Sequence, residues 1–228
     1  MHSTKQNLQV LHEDNHLIIV NKRAGDIVQG DKTGDKPLSD VVKEYIKDKY
    51  NKPGAVFLGT VHRLDRPTSG VVIYARTSKA LERLNKMLRE KSIKKTYWAV
   101  VKNQPKKAAD TLIGFLKKNP KNNKSTSYSK EVDGSKKAIL HYQTKKKLDN
   151  YSLLEVDLET GRHHQIRVQL SSIGSTIKGD LKYGAKRSNK DGSIHLHARK
   201  IEFIHPVSKE LVKVIAPTPK DPIWDACM

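Results

Sequence analysis

The stretch Val61-His62-Arg63-Leu64-Asp65-Arg66-Pro67-Thr68-Ser69-Gly70 sets one carboxylate between two arginines, directly ahead of an apolar run from Val71 to Tyr74. Pro67, Thr68, Ser69 and Gly70 are turn formers, so Asp65 is predicted at the mouth of a strand and not inside one. An aspartate is ionised at neutral pH and can then act as nucleophile or base. Composition alone favours a plainer reading, a surface carboxylate paired with Arg63 or Arg66, because loop ion pairs are common and contribute little. The rest of the chain decides between the two.

With 228 residues the chain can bury a proper core. One domain over residues 8–222 is predicted, with two small domains as the alternative and with 1–7 and 223–228 as tails. There is no apolar run long enough for a membrane span or a secretory leader. The single cysteine, Cys227, has no partner for an internal disulfide, which fits a reducing, cytoplasmic setting. Charge is the informative quantity: Lys and Arg total 44 against 24 Asp and Glu, a formal net charge of +20. That excess speaks of partners, and a nucleic acid is the natural one. A membrane surface fits less well, since no basic amphipathic helix with a Trp or Phe face is present.

Outward from the Asp65 stretch, 8–12 and 16–20 read as a hairpin turning at Asp14-Asn15. Ser39 is a cap candidate for a helix to about Asp48, striped by Val41, Val42, Tyr45 and Ile46. Ser78 is another, ahead of Leu81, Leu84 and Leu88 at helical spacing. Residues 94–101, 138–147 and 151–158 read as strands, the last with Leu154, Val156 and Leu158 alternating against Glu155 and Asp157. Residues 117–137 are rich in Lys, Asn and Ser, and too poor in apolar residues to offset their ordering entropy. They are predicted as a basic mobile loop or a long hairpin tip, suited to non-specific phosphate contacts. Ile166, Leu170 and Ile173 share a helical face that Gly174 ends.

Several of these stretches, in order, resemble one family. His62-Arg63-Leu64-Asp65 with Thr68-Ser69-Gly70 resembles the catalytic motif of the RluA-type pseudouridine synthases. Lys95-Thr96-Tyr97 matches that family's Lys-x-Tyr setting, and Thr160-Gly161-Arg162-His163-His164-Gln165-Ile166-Arg167-Val168-Gln169-Leu170 its Thr-Gly-Arg-[Thr/Ser]-His-Gln-Ile-Arg-Val-His-Leu segment. Gly179-Asp180-Leu181-Lys182-Tyr183-Gly184, Leu196-His197-Ala198, His205-Pro206 and Ala216-Pro217-Thr218-Pro219 follow in the family's order. His163 and Gln169 depart from the pattern, as does Arg23, which replaces a proline in an Asn-Lys-Pro-x-Gly turn.

The resemblance implies an α+β pseudouridine synthase fold: a central mixed, largely antiparallel sheet with flanking helices and a catalytic cleft along the sheet. It implies an isomerase acting on uridines in structured RNA, ribosomal ahead of transfer RNA, with a catalytically silent RNA-binding protein as the rival. Asp65 would be the nucleophile or base, Tyr97 would stack on the uracil and help move a proton, and Arg167 would pair with Asp65. Arg63, His62, Leu64, Arg162, His164 and Gln165 would line the substrate site. No cofactor and no metal is implied, and a monomer is expected. Only seven residues precede the first strand, so RNA capture is expected to rest on this domain without a separate S4 domain. The ten histidines include an adjacent pair, His163-His164, and a His195-x-His197 pair, but no cysteine pair or His-Glu-x-x-His helix accompanies them. No phosphate-cradling or dinucleotide glycine pattern appears, and Ser69 lacks the Gly-x-Ser-x-Gly setting of a hydrolase nucleophile.

Overall fold

The computed structural model describes residues 2–31 and 33–228. In chain order the elements are β1 (Val10–Glu13), β2 (Leu17–Lys22), α1 (Leu38–Lys49), β3 (Gly59–Thr60), β4 (Ser69–Ala75), α2 (Ser78–Arg89), β5 (Lys94–Val101), β6 (Ala109–Asn119), β7 (Lys124–Tyr128), β8 (Lys136–Lys147), β9 (Ser152–Leu158), α3 (Gln165–Ser172), a 3-10 turn at Leu181–Tyr183, β10 (Leu196–Ile204), β11 (Leu211–Ile215) and α4 (Pro222–Cys227). These form two compact units, one of residues up to Lys94 with Ala198–Pro219, the other of Lys95–His197 with Lys220–Met228.

In the first unit the strands run β1-β2-β4-β10, with β11 beside β10 and β3 beside β4. The β1/β2, β2/β4, β3/β4 and β10/β11 pairs are antiparallel. Asp14 makes the first hairpin turn by accepting the N–H groups of His16 (2.6 Å) and Leu17 (2.9 Å). Side chains alternate across a strand, and here both faces are covered. Leu17, Ile19, Val71 and Ile73 face one apolar cluster with Ala80 and Leu84 of α2. Ile18, Val20, Val72 and Tyr74 face another with Val41, Val42 and Ile46 of α1. That is why β2 and β4 read as unbroken apolar runs.

Neither helix is capped by the serine expected. The cap of α1 is Pro37, without a side-chain bond. The carbonyls of Ile27 and Val28 take the free N–H groups of Leu38 (2.8 Å) and Ser39 (3.2 Å) instead, leaving Ser39 inside the first turn. Helix α2 is capped by Thr77, whose hydroxyl accepts the Ala80 N–H at 3.2 Å. At the start of β4, Gly70 has φ +116°, and a β-carbon there would lie 2.3 Å from the Ala198 carbonyl oxygen. Only glycine tolerates both conditions.

In the second unit the strands run β5-β9-β8-β6-β7, all pairs antiparallel. Helix α3 covers one face, where Val168 and Tyr183 pack on Leu116 and Ala138. Residues 117–137, expected as a loop or a hairpin tip, run from the end of β6 through a turn and β7 into β8. Residues 223–228, expected as a tail, form most of α4 and its end. Asp221 caps that helix by accepting the N–H groups of Ile223 (2.9 Å) and Trp224 (3.3 Å). Trp224 and Cys227 are buried against Val100 and Leu153.

Candidate active site

The Asp65 turn of the first unit is closed by a bond from the Thr68 N–H to the Asp65 carbonyl at 3.0 Å. Beneath it lies Lys22, 1% exposed. Its ammonium donates to the carbonyls of Arg23 (2.9 Å), Arg66 (3.1 Å) and Thr68 (2.7 Å). Three acceptors take all three N–H groups of a charged lysine, so the end of β2 grips the turn just beyond Asp65. Burial pulls this lysine down to about 7, against the raising influence of Asp26 and Asp65. His62 accepts the Ile73 N–H at Nε2, 3.2 Å away. Leu64 packs against the α1 cluster. Arg66 pairs with Asp35 at 2.7 Å, and Arg63 is exposed.

In the second unit Tyr97 lies on β5, opposite Val156, and is 8% exposed. The turn ahead of α3 is held by Gln165. Its side-chain oxygen accepts the Thr160 hydroxyl (2.8 Å) and the Arg162 N–H (3.0 Å), and its amide donates to the Ile139 carbonyl (3.0 Å). Gln165 was expected to meet RNA; the structure engages its amide in holding the turn. Arg162 is exposed and donates from Nε to the Lys137 carbonyl at 2.9 Å. His164 takes the left-handed conformation (φ 55°) at the cap of α3, uncommon for a residue with a side chain, and its ring stacks on His163 at 3.8 Å.

Arg167 forks onto Asp180: Nε to Oδ2 is 2.7 Å and Nη2 to Oδ1 is 2.8 Å. The two side chains are 5% and 1% exposed. A planar two-bond pairing of this kind fixes orientation as well as charge. Removing Arg167 would leave the buried Asp180 carboxylate without this counterpart, which costs about 3–5 kcal/mol. Asp180 is a site residue beyond those expected from the motifs, and its Gly-Asp-x-x-Tyr-Gly stretch is the signal that marks it. Tyr183 completes the arrangement. Its ring lies under the Arg167 guanidinium at 5.1 Å, and its hydroxyl accepts the Ser125 N–H at 2.8 Å. The same phenol oxygen lies 2.9 Å from Nδ1 of His164. The rings of His195 and His197 both meet Trp224. Among the described residues no group of three or more His, Cys, Asp or Glu could hold a metal ion.

Residues 16–172, which include Asp65, Tyr97 and Arg167, match the family model described as RNA pseudouridylate synthase. The chain belongs to the RNA pseudouridylate synthase family. It is thereby an isomerase acting on RNA. Among relatives within the family, an uncharacterized RNA pseudouridine synthase of Synechocystis is 35% identical over 216 residues, covering 93% of this chain and 66% of the relative. Ribosomal large subunit pseudouridine synthase D of Zymomonas mobilis is 34% identical, covering 94% of this chain and 70% of the relative. Ribosomal large subunit pseudouridine synthase C of Buchnera aphidicola from Acyrthosiphon pisum is 36% identical, covering 95% and 69%. The chain thus spans about two thirds of the length of these relatives. Two solved structures share the pseudouridine synthase fold. Human RNA Pseudouridylate Synthase Domain Containing 4 superposes with a TM-score of 0.78 at 23% identity, covering 93% of this chain and 89% of that one. Domain Containing 1 gives 0.75 at 22% identity, covering 100% and 90%. The fold class expected from the motifs therefore holds.

Proposed function

We propose that this chain isomerises specific uridines of structured RNA, ribosomal RNA ahead of transfer RNA. The names of the Zymomonas and Buchnera relatives support the ribosomal preference. In this reading the bond between uracil N1 and ribose C1′ breaks and the detached base turns. C5 then bonds to C1′, while C5 gives up its proton and N1 gains one. Asp65 starts the sequence, either by attacking C1′ or by removing a ribose proton. Tyr97 stacks on the uracil and assists the C5 proton, and Arg167 keeps the charged role that its motif carries. The target uridine is turned out of its helix first, at a cost of a few kcal/mol. The cytoplasm is the proposed setting, and the monomer the proposed form.

The observation that carries this reading is that the family match spans the Asp65 turn, and that the turn is clamped by a buried lysine. The test is Asp65→Asn assayed for pseudouridine on total RNA. The variant is expected to form none while binding RNA as the unaltered chain does. Turnover by the variant would remove Asp65 from the chemistry, and a silent unaltered chain would leave an RNA-binding protein.

A further inference from the structure

The sheet of the second unit has two unlike faces at its β6–β7–β8 end. Leu116, Ala138 and Leu140 point to the face that α3 covers and are buried. The residues between them point the other way. Register puts Phe115 opposite Tyr128 on one side and opposite Lys137 on the other, with Ile113 against Ile139 and Lys117 against Thr126 in the flanking rows. Ile113 is 60% exposed and Tyr128 is 37% exposed. Phe115 and Ile139 are half-buried, and Lys117 and Lys137 are exposed. The result is an open sheet surface with two aromatic rings in one row and lysines at its border.

The charge around this surface narrows what fits it. Residues 117–137 hold seven lysines against Glu131 and Asp133. The carboxylates of β9 on the same face, and Glu159 just beyond it, are already engaged: Glu155 accepts the Trp98 indole N–H at 3.2 Å, Asp157 accepts the Thr96 hydroxyl at 2.6 Å, and Glu159 lies 2.8 Å from His141. A second copy of the chain would bring lysines against lysines. A flexible polyanion with flat, stackable groups meets both the rings and the cations. Bases stack on exposed aromatics of a sheet while lysines hold the backbone, which is a general means of binding unpaired RNA.

We propose that the outward face of β6, β7 and β8, centred on Tyr128 and Phe115, is an RNA-binding platform for unpaired nucleotides of the RNA substrate. The proposal rests on RNA being the substrate and adds a second place of contact, on the side of the sheet away from α3. It gives the exposed Ile113 and Tyr128 a purpose that packing does not supply.

The experiment measures fluorescence anisotropy of a short labelled oligouridylate and of a blunt RNA duplex, alongside pseudouridine formation on total RNA. Tyr128→Ala is expected to weaken oligouridylate binding on the order of tenfold and to leave duplex binding in place. Tyr128→Phe, which keeps the ring, is expected to bind as the unaltered chain does. Lys117→Ala combined with Lys137→Ala is expected to weaken both ligands and flatten their salt dependence. Unchanged oligouridylate binding by Tyr128→Ala, or an equal loss on the duplex, overturns the platform. So does competition by polyglutamate that depends on Tyr128, which would assign the face to an acidic protein. Tyr128-dependent binding without any pseudouridine formed would sustain the platform and sink the proposed function; pseudouridine formed with Tyr128 immaterial would do the reverse.

Discussion

Lys22 shows how a single side chain ties stability to the Asp65 turn. In the fold it gives up its proton near pH 7, whereas an unfolded lysine does so near 10.5. Between those values the unfolded chain binds the extra proton, so this residue's contribution to stability rises with pH across that window. The clamp behaves oppositely, because a neutral amine has two N–H groups for three carbonyls. Lys22→Met removes both effects and takes its buried donor from the Thr68 carbonyl, while the Arg66 carbonyl keeps the Gly25 N–H at 2.8 Å, at a cost of about 1–3 kcal/mol. Melting curves of both proteins from pH 6 to 10 are expected to show the unaltered chain gaining on the variant as pH rises. Its rate of pseudouridine formation is expected to decline over the same range, and a flat difference between the melting curves would mean that Lys22 does not titrate there.

At the scale of elements, β4 depends on one position. A Gly70→Ala chain must relieve both a positive φ and a 2.3 Å contact with the Ala198 backbone. It is expected to lose several kcal/mol, within the range of severe single substitutions, and denaturant titration would read this as a lower midpoint. Strand β2 and the Val71–Tyr74 run were legible because burial on both faces writes an unbroken apolar string. Strand β5 was legible from its Thr, Tyr, Trp and Val content, and its bounds match those read from sequence. Strand β6 was not, since Leu112-Ile113 and Phe115-Leu116 straddle Gly114 and hide the alternation. The outward residues of those pairs are the ones on the open face. The caps of α1 and α2 slipped by a residue or two because backbone carbonyls and a neighbouring threonine do work that serines would otherwise do. Asp221-Pro222 is a fair helix start, but α4 has only six residues, too few for a periodic signal. The motifs located Arg167, while its fork with Asp180, 13 residues along, is a tertiary fact that spacing does not encode.

For the molecule as a whole, a net charge of +20 on 228 residues sets the terms of RNA capture. Each phosphate neutralised releases counterions, so affinity falls steeply with salt. A complex with 6–10 phosphate contacts is expected to lose about 10³–10⁵ in affinity between 50 and 200 mM salt. Filter binding across that range checks it, and a shallow slope would mean that most of the lysines never touch RNA. The C-terminal helix has a quieter consequence. The molecule's only sulfhydryl belongs to the helix's own last residue, Cys227, turned inward with Trp224 against Val100 and Leu153, and burial raises its pKa. A thiol reagent can reach that sulfur only in moments when the helix lifts away. The chain therefore carries its own clock for that opening, readable by labelling kinetics without altering a residue.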